Sequence, residues 1–135
     1  MSQVQEPHHG MVSEFQTSGI PYVTSSAANE VTTTAINVKF PYVSRWVQVF
    51  NTDGSVNDTL RVGFTQNGVD SNPTANYFIL SGTKDSGRLE LKCTNLWLKQ
   101  HGANPTSFSV MAGLTNVKPN RFFSMTGSNG VDGVG

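Results

Sequence analysis

The chain is short of charge and almost without cysteine. Charged residues make up 13% of its 135 positions, against the usual quarter or so. Nine basic residues balance nine acidic ones, and no basic run or stripe stands out, which argues against nucleic acid as the main ligand. Thr, Ser, Asn and Gly fill the gap. A polar, weakly charged surface is common where partners occupy most of it, although secreted β-domains and lectins share the bias. Cys93 is the only cysteine, so an internal disulfide is impossible and a disulfide-stapled secreted scaffold is excluded. It lies in phase with Leu89 and Leu91 and reads as a small buried apolar residue. No apolar run approaches transmembrane length. Residues 1–7 carry neither a basic n-region nor an apolar h-region, so no signal peptide is expected. The expected product is cytosolic, or packaged in something assembled in the cytosol. Three turns of apolar residues at helical spacing are missing too, which removes helical bundles.

What remains is strand pattern. Leu60, Val62 and Phe64 alternate with Arg61, Gly63 and Thr65, and period two places the two sets on opposite faces of a strand. The run before it, with Trp46, Val47, Val49 and Phe50, uses both faces, as in a strand covered on both sides or carrying an interface on its outer face. With the turn formers of residues 51–58 between them, the two read as an antiparallel hairpin with a longer loop. Phe15 to Thr24 reads as a first strand, which Pro21 confines to an edge or a strand end. Val31 to Phe40 reads as the next, with Ile36, Val38 and Phe40 in phase. Residues 68–75 read as a loop, Asn76 to Ser81 as a short strand, and Arg88 to Cys93 as another with leucines inward. Leu96 and Leu98 hold the opposite parity to Leu89 and Leu91, which predicts a bulge or bend near Thr94 and Asn95. Phe108, Val110, Ala112 and Leu114 mark the last strand. Seven or eight short strands in one domain predict an all-β sandwich or barrel. A single jelly roll of about eight antiparallel strands with extended termini fits this length, with an immunoglobulin-like sandwich the nearest rival. The chain divides into an N-terminal arm (1–14), the jelly-roll domain (15–117) and a Gly-rich C-terminal segment (118–135).

Catalytic constellations are missing. No zinc-protease His pair, P-loop, dinucleotide fingerprint or nucleophile elbow is present, so no enzyme, cofactor or metal is expected. His8 and His9 adjoin in the arm, and adjacent histidines point different ways in most backbones. His101 sits in a loop beside Gly102. Glu90, between Arg88 and Lys92, suggests a solvated cross-strand ion pair. Asp53, Asp58, Asp70 and Asp85 fall in turns, where Asp caps backbone groups; a calcium loop of Asp53, Asn57 and Asp58 is the minor alternative. Asn57-Asp58-Thr59 is a formal glycosylation sequon, expected to be silent without a signal peptide. Trp46 and Trp97 read either as packing or as interface anchors, since Trp is enriched in hot spots. Tyr42 joins them as an interface candidate. Phe122, Phe123 and Met125 are too apolar for a free tail and are expected to anchor the last segment on the sandwich or on a neighbour. Four glycines in the last nine residues prevent it from making a stable strand or helix alone.

Several stretches carry a resemblance. They are Val38 to Val47 (VKFPYVSRWV), Leu60 to Gly68 (LRVGFTQNG), Asn76-Tyr77-Phe78, Leu89-Glu90-Leu91, Ser107 to Thr115 (SFSVMAGLT), Thr126-Gly127-Ser128 and Gly133-Val134-Gly135. Over residues 36–135 the chain resembles the small penton, or vertex, proteins of large icosahedral nucleocytoplasmic DNA viruses. The resemblance implies a single jelly-roll structural capsid protein, assembled in host cytoplasm into the virion. It implies a homopentamer at each vertex, surrounded by the major capsid protein and minor capsid proteins, with no direct contact to nucleic acid and no transmembrane segment. The arm and the Gly-rich segment would reach capsid neighbours. A lectin-like or receptor-binding jelly-roll module, or a minor or cement capsid protein, is the alternative.

Overall fold

A computed structural model describes residues 6–71, 75–122 and 133–134. In chain order the elements are α1 (Val12–Gln16), β1 (Ile20–Ser25), β2 (Ile36–Lys39), β3 (Ser44–Asn51), β4 (Leu60–Gly63), α2 (Gln66–Asp70), β5 (Tyr77–Leu80), β6 (Asn95–Gln100), β7 (Phe108–Leu114) and a 3-10 turn, Pro119–Arg121. The strands form two antiparallel sheets, so the fold is all-β. One sheet has the order β1-β7-β3 and the other β2-β6-β4-β5.

Alternation builds the core. In the first sheet Val47 lies opposite Ala112 and Val49 opposite Val110; in the second Val38 lies opposite Leu96, and Leu98 pairs with both Ile36 and Val62. These inward sets form one cluster, in which Val47, Val49, Leu60, Val62, Leu96, Leu98 and Val110 are fully buried. Each such side chain contributes about 1.5–3 kcal/mol by leaving water. Cys93 belongs to the same cluster at 1% exposure, as its phase predicted.

The expected hairpin is not formed: β3 and β4 lie in different sheets. The reason is at the end of β3. Asn51 continues the inward phase of Val47 and Val49, and its buried amide bonds the chain to the opposite layer, donating to the carbonyls of Asp58 and Leu80. The connection therefore crosses between the sheets rather than doubling back within one.

Residues 84–93 run antiparallel along the outer edge of β3 without becoming a regular strand. Asn51 N donates to Lys84 O, Ser86 N to Val49 O, Leu89 and Val47 exchange both bonds, and Ser44 N donates to Cys93 O. The pairing slips by one residue and then another along this run. Gly87, at φ +69, and the Leu91 N to Leu89 O bond break the ladder. Leu89 and Leu91 still pack against the core, and the chain then crosses to the other sheet, where β6 begins at Asn95. That crossing is the parity change at Thr94 and Asn95.

Other expectations shift locally. Phe15 and Gln16 belong to α1, and the first strand begins only at Ile20. Val31 makes an isolated bridge to Thr106, five residues before β2. The start of the expected loop at Gly68 is helical, because Thr65 caps α2: its Oγ1 accepts from Gly68 N at 3.0 Å. Arg88 Nε meets Glu90 Oε1 at 2.7 Å within the same segment, exposed, not across strands.

Candidate functional site

The outer face of the three-stranded sheet is apolar and partly open. Trp46 lies in register with Gly113, and a Cβ there would overlap the indole. The glycine thus gives the ring a seat on the sheet. Gly19 presses on the Gly113 backbone from the other side with no room for a Cβ, and Arg88 sits 5.2 Å from the Trp46 ring centre. One row along, Val23 and Met111 pair across β1 and β7, 65% and 40% exposed. Pro21, in the edge strand β1, cannot donate a ladder bond.

The outer face of the four-stranded sheet is polar and largely covered. Asn37, Trp97, Gly63 and Tyr77 form one row in register. α2 lies over it, with Val69 fully buried against Gly63. Trp97 is half-buried and lines a cleft of about 160 Å³ with Thr65, Gln66 and Asn67. Beside it, Arg61 donates to His101 Nδ1 at 3.1 Å and to Val69 O at 2.7 Å and stacks 4.4 Å from the Tyr77 ring centre. Lys99 pairs with Asp70 at 3.0 Å. A cavity of about 340 Å³ opens under β5, lined by Val62, Phe64, Asn76, Tyr77, Phe78 and Gly133 among others. The C-terminal end reaches this region: Thr65 Oγ1 donates to Val134 O at 2.6 Å.

At one end of the sandwich, loops converge on Asn51. Its Nδ2 donates to Asp58 O at 2.8 Å and Leu80 O at 3.0 Å. Its Oδ1 accepts from Thr106 Oγ1 at 2.9 Å and Asp53 N at 3.1 Å. Both donors and both acceptor positions of the amide are used. The acidic side chains here serve turns: Asp53 Oδ1 accepts from Ser55 N and Asp58 Oδ1 from Asn104 Nδ2. Asp85 accepts from Gln48 Nε2 and Gly87 N, which holds its carboxyl below the usual range. Among the described residues no three His, Cys, Asp or Glu side chains gather as metal ligands. His8 Nδ1 accepts from Gly10 N.

At the other end, segment 6–16 lies on a basic strip. Glu6 pairs with Lys118 at 3.2 Å and with Arg121, and these cations hold its carboxyl below the usual range. Glu14 Oε2 accepts from Asn116 N at 3.2 Å. Arg45 Nε donates to Phe15 O at 2.8 Å, and Lys92 Nζ lies 4.3 Å from the Phe15 ring centre. Phe122 meets the His9 ring edge to face.

The structure does not gather the interface candidates. Trp46 and Trp97 stand on opposite outer faces, Tyr42 packs against the core, and Phe122 lies under the N-terminal segment. Phe123 and Met125 lie outside the described residues. The sequence marks Asn51 only as a turn former, and it does not reveal the strip of Arg45, Lys92, Lys118 and Arg121, whose members are scattered along the chain. Asn51's phase with Val47 and Val49 was the available signal; the strip had none. Family models, curated proteins and solved structures were all compared with the chain, and none matches.

Proposed function

We propose that the chain is a structural subunit, a single jelly-roll protein whose five copies close a vertex of an icosahedral double-stranded DNA virus capsid. The supporting observation is the strand order. With residues 84–93 counted as the outer neighbour of β3, the sheets read β1-β7-β3-(84–93) and β2-β6-β4-β5. An eight-strand, two-Greek-key jelly roll would have that order, which supports the reading. A five-fold ring needs two different flanks on each subunit. The apolar Val23, Met111 and Trp46 face and the polar Trp97, Arg61 and Lys99 face differ in that way. The major and minor capsid proteins are the proposed outer partners, and the virion is the proposed location.

Copy number in purified particles tests the reading. Twelve vertices of five subunits give roughly 60 copies. Hundreds of copies would make the protein a facet or cement subunit, and its absence from particles would end the capsid reading. One feature favours a second class: Phe64, Tyr77 and Phe78 line the cavity under β5, as a lectin-like or receptor-binding module would use. Saturable glycan binding lost in Tyr77→Ala would support that module.

A further inference from the structure

We infer that segment 6–16 is an exchangeable arm, which docks on the strip of a second copy of this chain as it docks on its own. The strip holds Arg45, Lys92, Lys118 and Arg121, four of the nine basic residues in the chain. The arm brings to it the Glu6 carboxylate, the Phe15 ring and the Phe15 carbonyl, and beside it Glu14 accepts from Asn116 N. Opposite charge is thus divided between two parts of one molecule, so copies of the chain are complementary to each other without any new surface. Exchange of an identical element is a low-cost route to association for that reason.

The arm is built to leave. α1 buries none of its residues, and Val12 on it is 66% exposed, so undocking opens no hole in the core. A five-residue helix is marginal by itself. The connection to β1 is short: Thr17 and Ser18 are exposed, while Gly19 is wedged against Gly113 with no room for a Cβ. Motion at residues 17–18 therefore releases the arm and leaves β1 in place. Fully extended, residues 6–18 span roughly 45 Å, enough to reach an adjoining subunit. A short tether gives the cis site an effective concentration near millimolar, so a dilute monomer keeps its own arm. Exchange belongs to conditions that hold copies side by side.

Two single variants separate cis from trans. Ser13→Cys protein is mixed with Asn116→Cys protein at high concentration and treated with a short bismaleimide; both positions are exposed and flank the Glu14 to Asn116 N contact without supplying a side chain to the docking, while Cys93 is buried and its thiol is pushed up to about 11, so it stays silent. A link between the two chains requires an arm on a neighbour's strip. The expected yield exceeds that of a Glu90→Cys and Asn116→Cys control about tenfold, grows with concentration, and falls to the control level in about 1 M salt. A Ser13→Cys/Asn116→Cys double variant that links only within single chains at every concentration, in oligomers included, overturns the inference. So does release of the arm by an acidic peptide with no interchain link, which would assign the strip to another protein. The inference stands apart from the vertex reading: pentamers with only intrachain links would leave the vertex and remove the exchange, and linked oligomers of another size would do the reverse.

Discussion

At one end of the sandwich Asn51 ties two loops and the end of β5 together with bonds that are buried or part-buried. At the other end segment 6–16 is tied down by as many polar contacts, nearly all of them in reach of solvent. Asn51 is 2% exposed, whereas Lys118 and Arg121 are about half exposed beside Glu6. The difference teaches that burial, more than the number of bonds, decides what a polar contact is worth. A buried partner that loses its bond has no water to turn to. An exposed one exchanges a protein oxygen for a water oxygen, and mobile side chains and salt erode the remainder.

Asn51→Ala is the largest test of that contrast. It strands the Asp58 and Leu80 carbonyls and the Thr106 hydroxyl and opens a small void. The expected loss is about 3 kcal/mol, read as a lower urea midpoint with an unchanged m-value. A loss well under 1 kcal/mol would mean that water reaches this end after all, and the contrast would fail.

Gly113→Ala comes next and asks whether the open apolar face is built as tightly as the loop end. The added methyl overlaps the Trp46 indole. The expected cost is about 2 kcal/mol, with a changed Trp fluorescence spectrum. Trp46→Ala in the same chain should relieve part of it, because neighbours that share a contact are not additive. Full additivity would show that the ring does not rest on the glycine.

Cys93 gives a pH test of the dry interior. Burial raises its thiol from 9.0 to about 11, above the value in the unfolded chain. The folded state therefore keeps a proton that the unfolded state releases, and stability falls as pH rises from about 9 to about 11. The expected difference between the native chain and Cys93→Ala over that window is on the order of 2 kcal/mol. Below pH 9 the thiol should be inert to Ellman's reagent in the folded protein. Prompt reaction would show that this part of the core opens locally.

These tests also separate what the sequence carries from what it hides. Phase was legible: Val47 and Val49, Leu60 and Val62, Leu96 and Leu98 all point inward as alternation requires, and even the irregular Leu89, Leu91 and Cys93 run keeps its faces. Pairing was not legible, because period two fixes which way a side chain points and says nothing about which strand lies beside it. The eight residues between β3 and β4 suit a hairpin loop and a crossing between layers equally well. Asn51 decides between them, and its meaning depends on Asp58, Leu80 and Thr106 arriving from three other places. The basic strip was hidden for the same reason. Trp46 and Trp97 were recognisable as large side chains on strands, but the glycine seat under one and the helix over the other are facts of tertiary packing.

The smallest effect sharpens the contrast from the exposed side. Arg121 and Lys118 hold the Glu6 carboxyl below its usual range, so the docked arm favours the charged form. The docking contribution is present above the unfolded value near 4.5 and is lost as pH falls through the lower docked value. Acid should then shift the amide resonances of Glu14 and Phe15 toward free-arm positions, while those of Val49 and Val110 in the sheets stay fixed. Glu6→Gln should produce the same shift at neutral pH, with the thermal midpoint unmoved, since α1 buries nothing. Raised salt should reproduce it without any change in protonation. If Glu6→Gln instead lowered the global midpoint as Asn51→Ala does, segment 6–16 would be part of the cooperative unit, and solvent access would no longer distinguish the two ends.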